Sequence, residues 1–97
     1  MVIEFLKFKV APETRDNYLQ QDAAIWTTAL AKYPGFLGKE VWINPHDPTE
    51  VTFIIRWATK EQWFAIPLED LATIEQKFSQ AVGNTYELIE SKEYQIW

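Results

Sequence analysis

The chain has 97 residues, of which 47% are hydrophobic and 24% charged, with a formal charge of −5. That balance belongs to a folded protein, and the length suits one domain, residues 1–97, rather than two. Arg15 and Arg56 are the only arginines and the lysines are scattered. Nucleic acid and anionic membranes are therefore not expected as partners, because both need clustered cations. No apolar run approaches the roughly 20 residues of a membrane span. Cysteine is absent, which excludes disulfides, thiol nucleophiles and thiolate metal sites and suits a reducing, cytoplasmic compartment. The opening Met1-Val2-Ile3-Glu4-Phe5 lacks the basic stretch of a secretion signal.

Val2 to Val10 is β-branched and aromatic and predicts a first strand, with Leu6, Phe8 and Val10 on one face and Ile3 and Phe5 on the other. Apolar residues on both faces imply a strand covered on both sides. Pro12 opens a helix that runs to Tyr33. Tyr18, Leu19, Ile25, Trp26, Ala29, Leu30 and Tyr33 form its apolar stripe, and Pro34-Gly35 stops it.

Phe36 to Ile43 predicts a second strand with Gly38 as a bulge or close-approach point. After the turn cluster Asn44-Pro45-His46-Asp47-Pro48, Val51 to Trp57 predicts a third. The short link makes the two an antiparallel hairpin. Thr59 to Gln62 fits a capping box for a short helix through Trp63 and Phe64. Pro67 breaks that helix and restarts a longer one, striped by Leu68, Leu71, Ile74, Phe78 and Val82 and ended at Gly83-Asn84. Tyr86 to Trp97 predicts a last strand. Its alternation fails around Glu90 to Glu93, so its outer half is a candidate arm or interchain strand.

The order strand, helix, strand, strand, helix, strand is the ferredoxin-like βαββαβ arrangement, an α+β fold with a four-stranded antiparallel sheet. Two helices cover one face. The other stays apolar, which implies a homodimer packed sheet against sheet. The third strand, Glu50 to Trp57, has no glycine and does not match the RNA-recognition pattern.

The stretch from Asp22 to Pro45, with Ile25-Trp26, Leu30, Tyr33-Pro34-Gly35-Phe36 and Glu40-Val41-Trp42, resembles an uncharacterised family of small dimeric α+β barrel proteins. The likeness extends to Arg56-Trp57 and Trp63. More distantly, Pro34-Gly35-Phe36 is similar to the antibiotic-biosynthesis monooxygenase superfamily. That resemblance implies a pocket in each monomer between helices and sheet. It also implies chemistry either of cofactor-free oxygenases acting on polycyclic phenols or of haem-degrading enzymes. The haem branch uses an Asn on the first strand and a His on the second helix. Here the first strand has no Asn, and the only His is His46 in a turn. No cofactor is therefore expected.

Asp22 lies near the middle of the first helix's stripe, one turn after Tyr18 and one before Trp26. A carboxylate there must be paired or hydrogen-bonded. It is the candidate catalytic residue, as a proton acceptor. As a structural contact it would bond a Trp or Tyr donor, or Arg56. Trp26, Trp42, Trp57 and Trp63 are candidates for an aromatic pocket, or for core or interface. Tyr18, Asp22, Trp26, Trp57 and Trp63 make the ligand-pocket set. Lys39 and Glu40 should point to opposite faces, as a solvated pair or with one of them turned to a partner or a pocket, and Arg56 should find a Glu on the sheet's open face. His46 with Asp47 makes a poor metal site, and no metal is expected.

Two functions are compatible with these features. The chain binds, or oxidises without cofactor, a small hydrophobic or aromatic molecule, as a monooxygenase-like protein. Alternatively it is a non-catalytic dimerisation module with a closed core.

Overall fold

In β1 (Val2–Val10) and β3 (Glu50–Trp57), alternating apolar residues pair in antiparallel register, from Val2 opposite Trp57 to Lys9 opposite Glu50. β2 (Phe36–Ile43) flanks β3, and β4 (Tyr86–Gln95) flanks β1, giving the sheet order β2-β3-β1-β4. This is the expected α+β, ferredoxin-like sheet. The computed structural model describes residues 1–97.

Helices cover one face. Val51, Phe53, Ile55 and Trp57 point toward them, and all four are buried. Two apolar clusters fill the interlayer. One joins Val10, Tyr18, Val51, Phe53, Phe78 and Val82, and the other joins Leu30, Ile55, Trp57 and Ile66. The opposite face carries Ile3, Phe5, Trp42, Ile54 and Tyr94. There Phe5 meets Tyr94 edge-on at 6.2 Å, and Arg56 Nη1 donates to Glu40 Oε1 at 2.9 Å. The expected Glu partner for Arg56 is thus Glu40.

The first helix departs from the single α-helix predicted over Pro12 to Tyr33. A 3-10 turn at Pro12–Thr14 leads into α1 (Arg15–Gln21). A π-helical segment at Asp22–Thr27 follows, then α2 (Thr28–Leu30). The Thr28 hydroxyl donates to the Ala23 carbonyl five residues back, at 3.1 Å, within the widened turn. In an α-helix a spacing of four residues drifts by about 40° per step. The looser π winding takes up part of that drift, so Tyr18, Asp22, Trp26 and Leu30 all reach the same interlayer space.

α3 (Lys60–Phe64) starts where the capping box predicts: Thr59 Oγ1 accepts from the Gln62 backbone N–H at 3.1 Å. α4 (Leu68–Val82) buries Phe78 and Val82, but Leu68 is 83% exposed, so the stripe begins at Leu71. Tyr33 in the turn after α2 donates to Asp70 Oδ2 at 2.7 Å, tying the end of the first helix to α4. No helix is long and apolar enough to cross a membrane.

Two bulges set which side chains face the helices. Phe36 pairs with Trp57 but Gly38 with Arg56, so Leu37 is the extra residue in β2. Phe8 pairs with Leu88 but Lys7 with Glu90, so Ile89 is extra in β4. The second bulge explains the failed alternation after Leu88: Tyr86 and Leu88 face the helices, while Glu90, Lys92 and Tyr94 face away. β4 stops at Gln95, two residues short of the predicted end.

Candidate functional site

Between the helices and the sheet lies a cavity of about 250 Å³. Fourteen of its eighteen lining residues are hydrophobic; the polar ones are Glu4, Asp22, Lys39 and Glu75. Tyr18, Asp22, Trp26, Trp57 and Trp63 all lie on its wall. Trp42 does not: it sits on the opposite face of the sheet, 52% exposed. An even position in β2 pairs it with Thr52, whose side chain faces away from the helices.

Asp22 is 4% exposed. Its partner is neither an aromatic donor nor Arg56, as the stripe position suggested. Lys39 Nζ donates to Asp22 Oδ2 at 2.6 Å, with the Lys39 side chain 4% exposed. The solvated Lys39–Glu40 pair is therefore corrected in favour of the alternative that one of the two faces a pocket. The two do point to opposite faces, but Lys39 goes into the protein and Glu40 to Arg56. The bulge at Leu37 decides this, because without it Lys39 would take the outward phase. Gly38 was the visible signal.

Lys39 Nζ also sits 4.4 Å from the centre of the Phe53 ring, which faces the cation with its π-electrons. Burial pushes the Asp22 carboxyl above the usual carboxylate range, opposed by the charge and hydrogen bond of Lys39. Burial likewise holds the Lys39 ammonium below the usual lysine range, opposed by Asp22. A low-dielectric site penalises both charges, and their contact offsets part of that cost.

Glu4 is a second carboxylate that the sequence did not single out. From β1 it accepts a hydrogen bond from the Trp57 indole, Nε1 to Oε1 at 3.1 Å. Burial raises its pKa, and the indole bond and Lys39 oppose the shift. On the helix side Tyr86 donates to Glu75. Burial, then that bond, drives the Tyr86 phenol upward. Burial and the Asp22 charge do the same to Tyr18, so both phenols stay neutral. Tyr18 stacks on Phe53 and meets Phe78 edge-on, with ring centres 6.2 and 5.3 Å apart.

The wall is thus mostly aromatic and apolar, with one buried ion pair, Asp22–Lys39, and two further carboxylates, Glu4 and Glu75. No three His, Cys, Asp or Glu side chains converge as a metal site, and His46 lies exposed in its turn.

A family model described as antibiotic biosynthesis monooxygenase matches residues 1–66. No curated protein matches the chain. Among solved structures, the fold is similar to a Bordetella bronchiseptica protein assigned as an antibiotic biosynthesis monooxygenase. That alignment has TM-score 0.77 and 16% identity and covers 99% of this chain and 96% of that one. SnoaB from Streptomyces nogalater, a cofactor-independent oxygenase, aligns with TM-score 0.68 and 17% identity over 99% of this chain and 92% of its own. The ActVA-Orf6 monooxygenase of Streptomyces coelicolor, solved with Nanaomycin D, aligns with TM-score 0.73 and 15% identity over 99% and 87%.

Proposed function

The chain belongs to the antibiotic biosynthesis monooxygenase family, and from that membership we propose that it binds a small aromatic molecule in the interlayer cavity and oxidises it with molecular oxygen, without a cofactor. The observation that carries this is the buried Asp22–Lys39 pair in a wall that, Glu4 and Glu75 apart, is aromatic and aliphatic. A closed-core dimerisation module would have no use for a cavity of this size. An apolar cavity of about 150 Å³ takes a benzene ring; one of about 250 Å³ suits one or two fused rings.

Asp22 is the proton acceptor. Removing a proton from the bound molecule makes it electron-rich enough to react with oxygen. One oxygen atom enters the product as a carbonyl, and the other leaves as water with two hydrogens, the hydroxyl proton that Asp22 took and the one hydrogen of the oxidised ring carbon. Trp26, Trp57, Trp63 and Tyr18 shape the pocket and keep water from the reacting carbon.

Oxygen uptake with hydroxylated one- and two-ring aromatics tests the activity. Asp22→Asn should lower turnover by about 10²-fold or more, the scale of a general base, while the circular dichroism spectrum stays unchanged. Unchanged turnover would remove Asp22 from the role. Saturable quenching of tryptophan fluorescence by an apolar aromatic tests the binding alone.

The homodimer is part of the same proposal, supported by Ile3, Phe5, Trp42, Ile54 and Tyr94 on the face without helices. Trp42 and Tyr94 are 52% and 49% exposed there. Sedimentation of the wild type and of Phe5→Lys should show a dimer and a monomer; a monomeric wild type would end this reading. The cytoplasmic location is likewise proposed, on the cysteine-free composition, and cell fractionation tests it.

A further inference from the structure

Lys39 supplies the positive charge of a cavity whose other charged side chains are Glu4, Asp22 and Glu75. Glu4 is already engaged by the Trp57 indole and Glu75 by the Tyr86 hydroxyl. An ammonium has three donors, and the Asp22 carboxylate takes one of them. The others remain for a guest in the cavity that Lys39 lines.

Charge conservation then sorts the guests. A neutral aromatic hydroxyl can pass its proton to Asp22. The ligand O–H bond breaks, an O–H bond forms on the carboxyl, and the negative charge moves to the ligand oxygen beside Nζ. Before and after, the cavity holds the same charges, so the low dielectric exacts no new penalty. A carboxylate guest arrives already charged and adds a second anion next to Asp22. A plain hydrocarbon offers the ammonium nothing.

We propose that Lys39 is the specificity-determining residue of this cavity: it selects aromatic ligands bearing a weakly acidic hydroxyl over carboxylates and hydrocarbons, by holding their oxyanion once Asp22 has taken the proton. The proposal rests on the cavity being an aromatic-binding site and adds which chemistry that site prefers. The raised proton affinity of the buried Asp22 carboxyl supports it by bringing acceptor and hydroxyl closer in strength.

The test is an absorbance titration of the full chain at neutral pH with naphthol, methoxynaphthalene, naphthoate and naphthalene. Wild type should bind naphthol about tenfold or more tightly than the other three, and bound naphthol should show the spectrum of its anion. Lys39→Met should lose both the preference and the anion spectrum, and Lys39→Arg should keep the anion spectrum. If Lys39→Met does not fold, naphthol against methoxynaphthalene on the wild type decides, since the two differ in the acidic proton. Naphthol bound in its neutral form, equal affinities for all four, or preference for naphthoate would each overturn the proposal while leaving the cavity a binding site. Binding of none of the four would overturn both.

Discussion

Phe36 and Lys39 face the same side of the sheet although three residues apart, a spacing that places side chains on opposite faces of a regular strand. Phe36 packs edge-on against Trp57 at 5.7 Å, and Lys39 reaches Asp22. The extra residue at Leu37 changes the phase between them, and Gly38 takes φ +152° to allow it. A Cβ at Gly38 would meet nothing within 4 Å, so Gly38→Ala probes the backbone alone. It should destabilise the fold by about 1–3 kcal/mol, the range for a Gly-only conformation, measured by urea unfolding. Deleting Leu37 would leave Phe36 and Lys39 two residues apart in a regular strand, so Lys39 should still pair with Ile55 and face the helices. Adding Asp22→Asn to that deletion should then cost about as much as it does in the wild type, because the pair is still there to break.

The Asp22–Lys39 pair is almost fully shielded, so removing one partner leaves the other charge buried. Lys39→Met and Asp22→Asn should each cost about 3 kcal/mol. The double variant should recover most of the summed loss, because neither charge is then stranded. A double-mutant cycle in urea measures this, and strict additivity would show that the two residues do not act as a pair.

Glu4 gives a pH dependence with a definite sign. Burial raises its folded pKa above the ordinary value of 4.5, so the native state holds a proton that the unfolded chain has released. Its stabilising contribution is fully present below 4.5 and is lost as pH rises through the raised value. Glu4→Gln keeps an acceptor for the Trp57 indole and removes the titration. Relative to wild type, the variant should gain stability between pH 4.5 and 7 and show no such gain below 4.5. Urea unfolding across that range checks it; a constant difference would mean that Glu4 does not titrate with folding.

Tyr33 holds the end of the first helix to α4 through one neutral-to-acid hydrogen bond to Asp70, of 2.7 Å. Tyr33→Phe keeps the ring and should lower stability only slightly, since the bond is partly open to solvent. Because Tyr33 lies outside the cavity wall, aromatic binding should be unchanged. A fluorescence titration beside the unfolding curve separates the two effects.

The period-two alternation of β1 and β3 is local, and it grouped Leu6, Phe8 and Val10, and Val51, Phe53, Ile55 and Trp57, on shared faces; the packing of the helices decided that these faces turn inward. The Thr59 cap and the Pro34-Gly35 stop are equally local, since one side chain or one dihedral decides them. The stripe position of Asp22 was also legible, as a carboxylate that had to find a partner. Which partner it found was not. Lys39 is seventeen residues away in sequence, and strand periodicity fixes only that it opposes Glu40, not which of the two turns inward. That choice is made by the register of β2 against β3, through a one-residue bulge whose effect exists only once the strands pair. Trp42 fell on the far face by the same phase, and Glu4 met Trp57 across fifty-three residues. Sequence spacing determined the elements and their apolar faces. Tertiary pairing decided which polar groups those faces enclose, because the cost of burying a charge is settled by a neighbour that local spacing cannot supply.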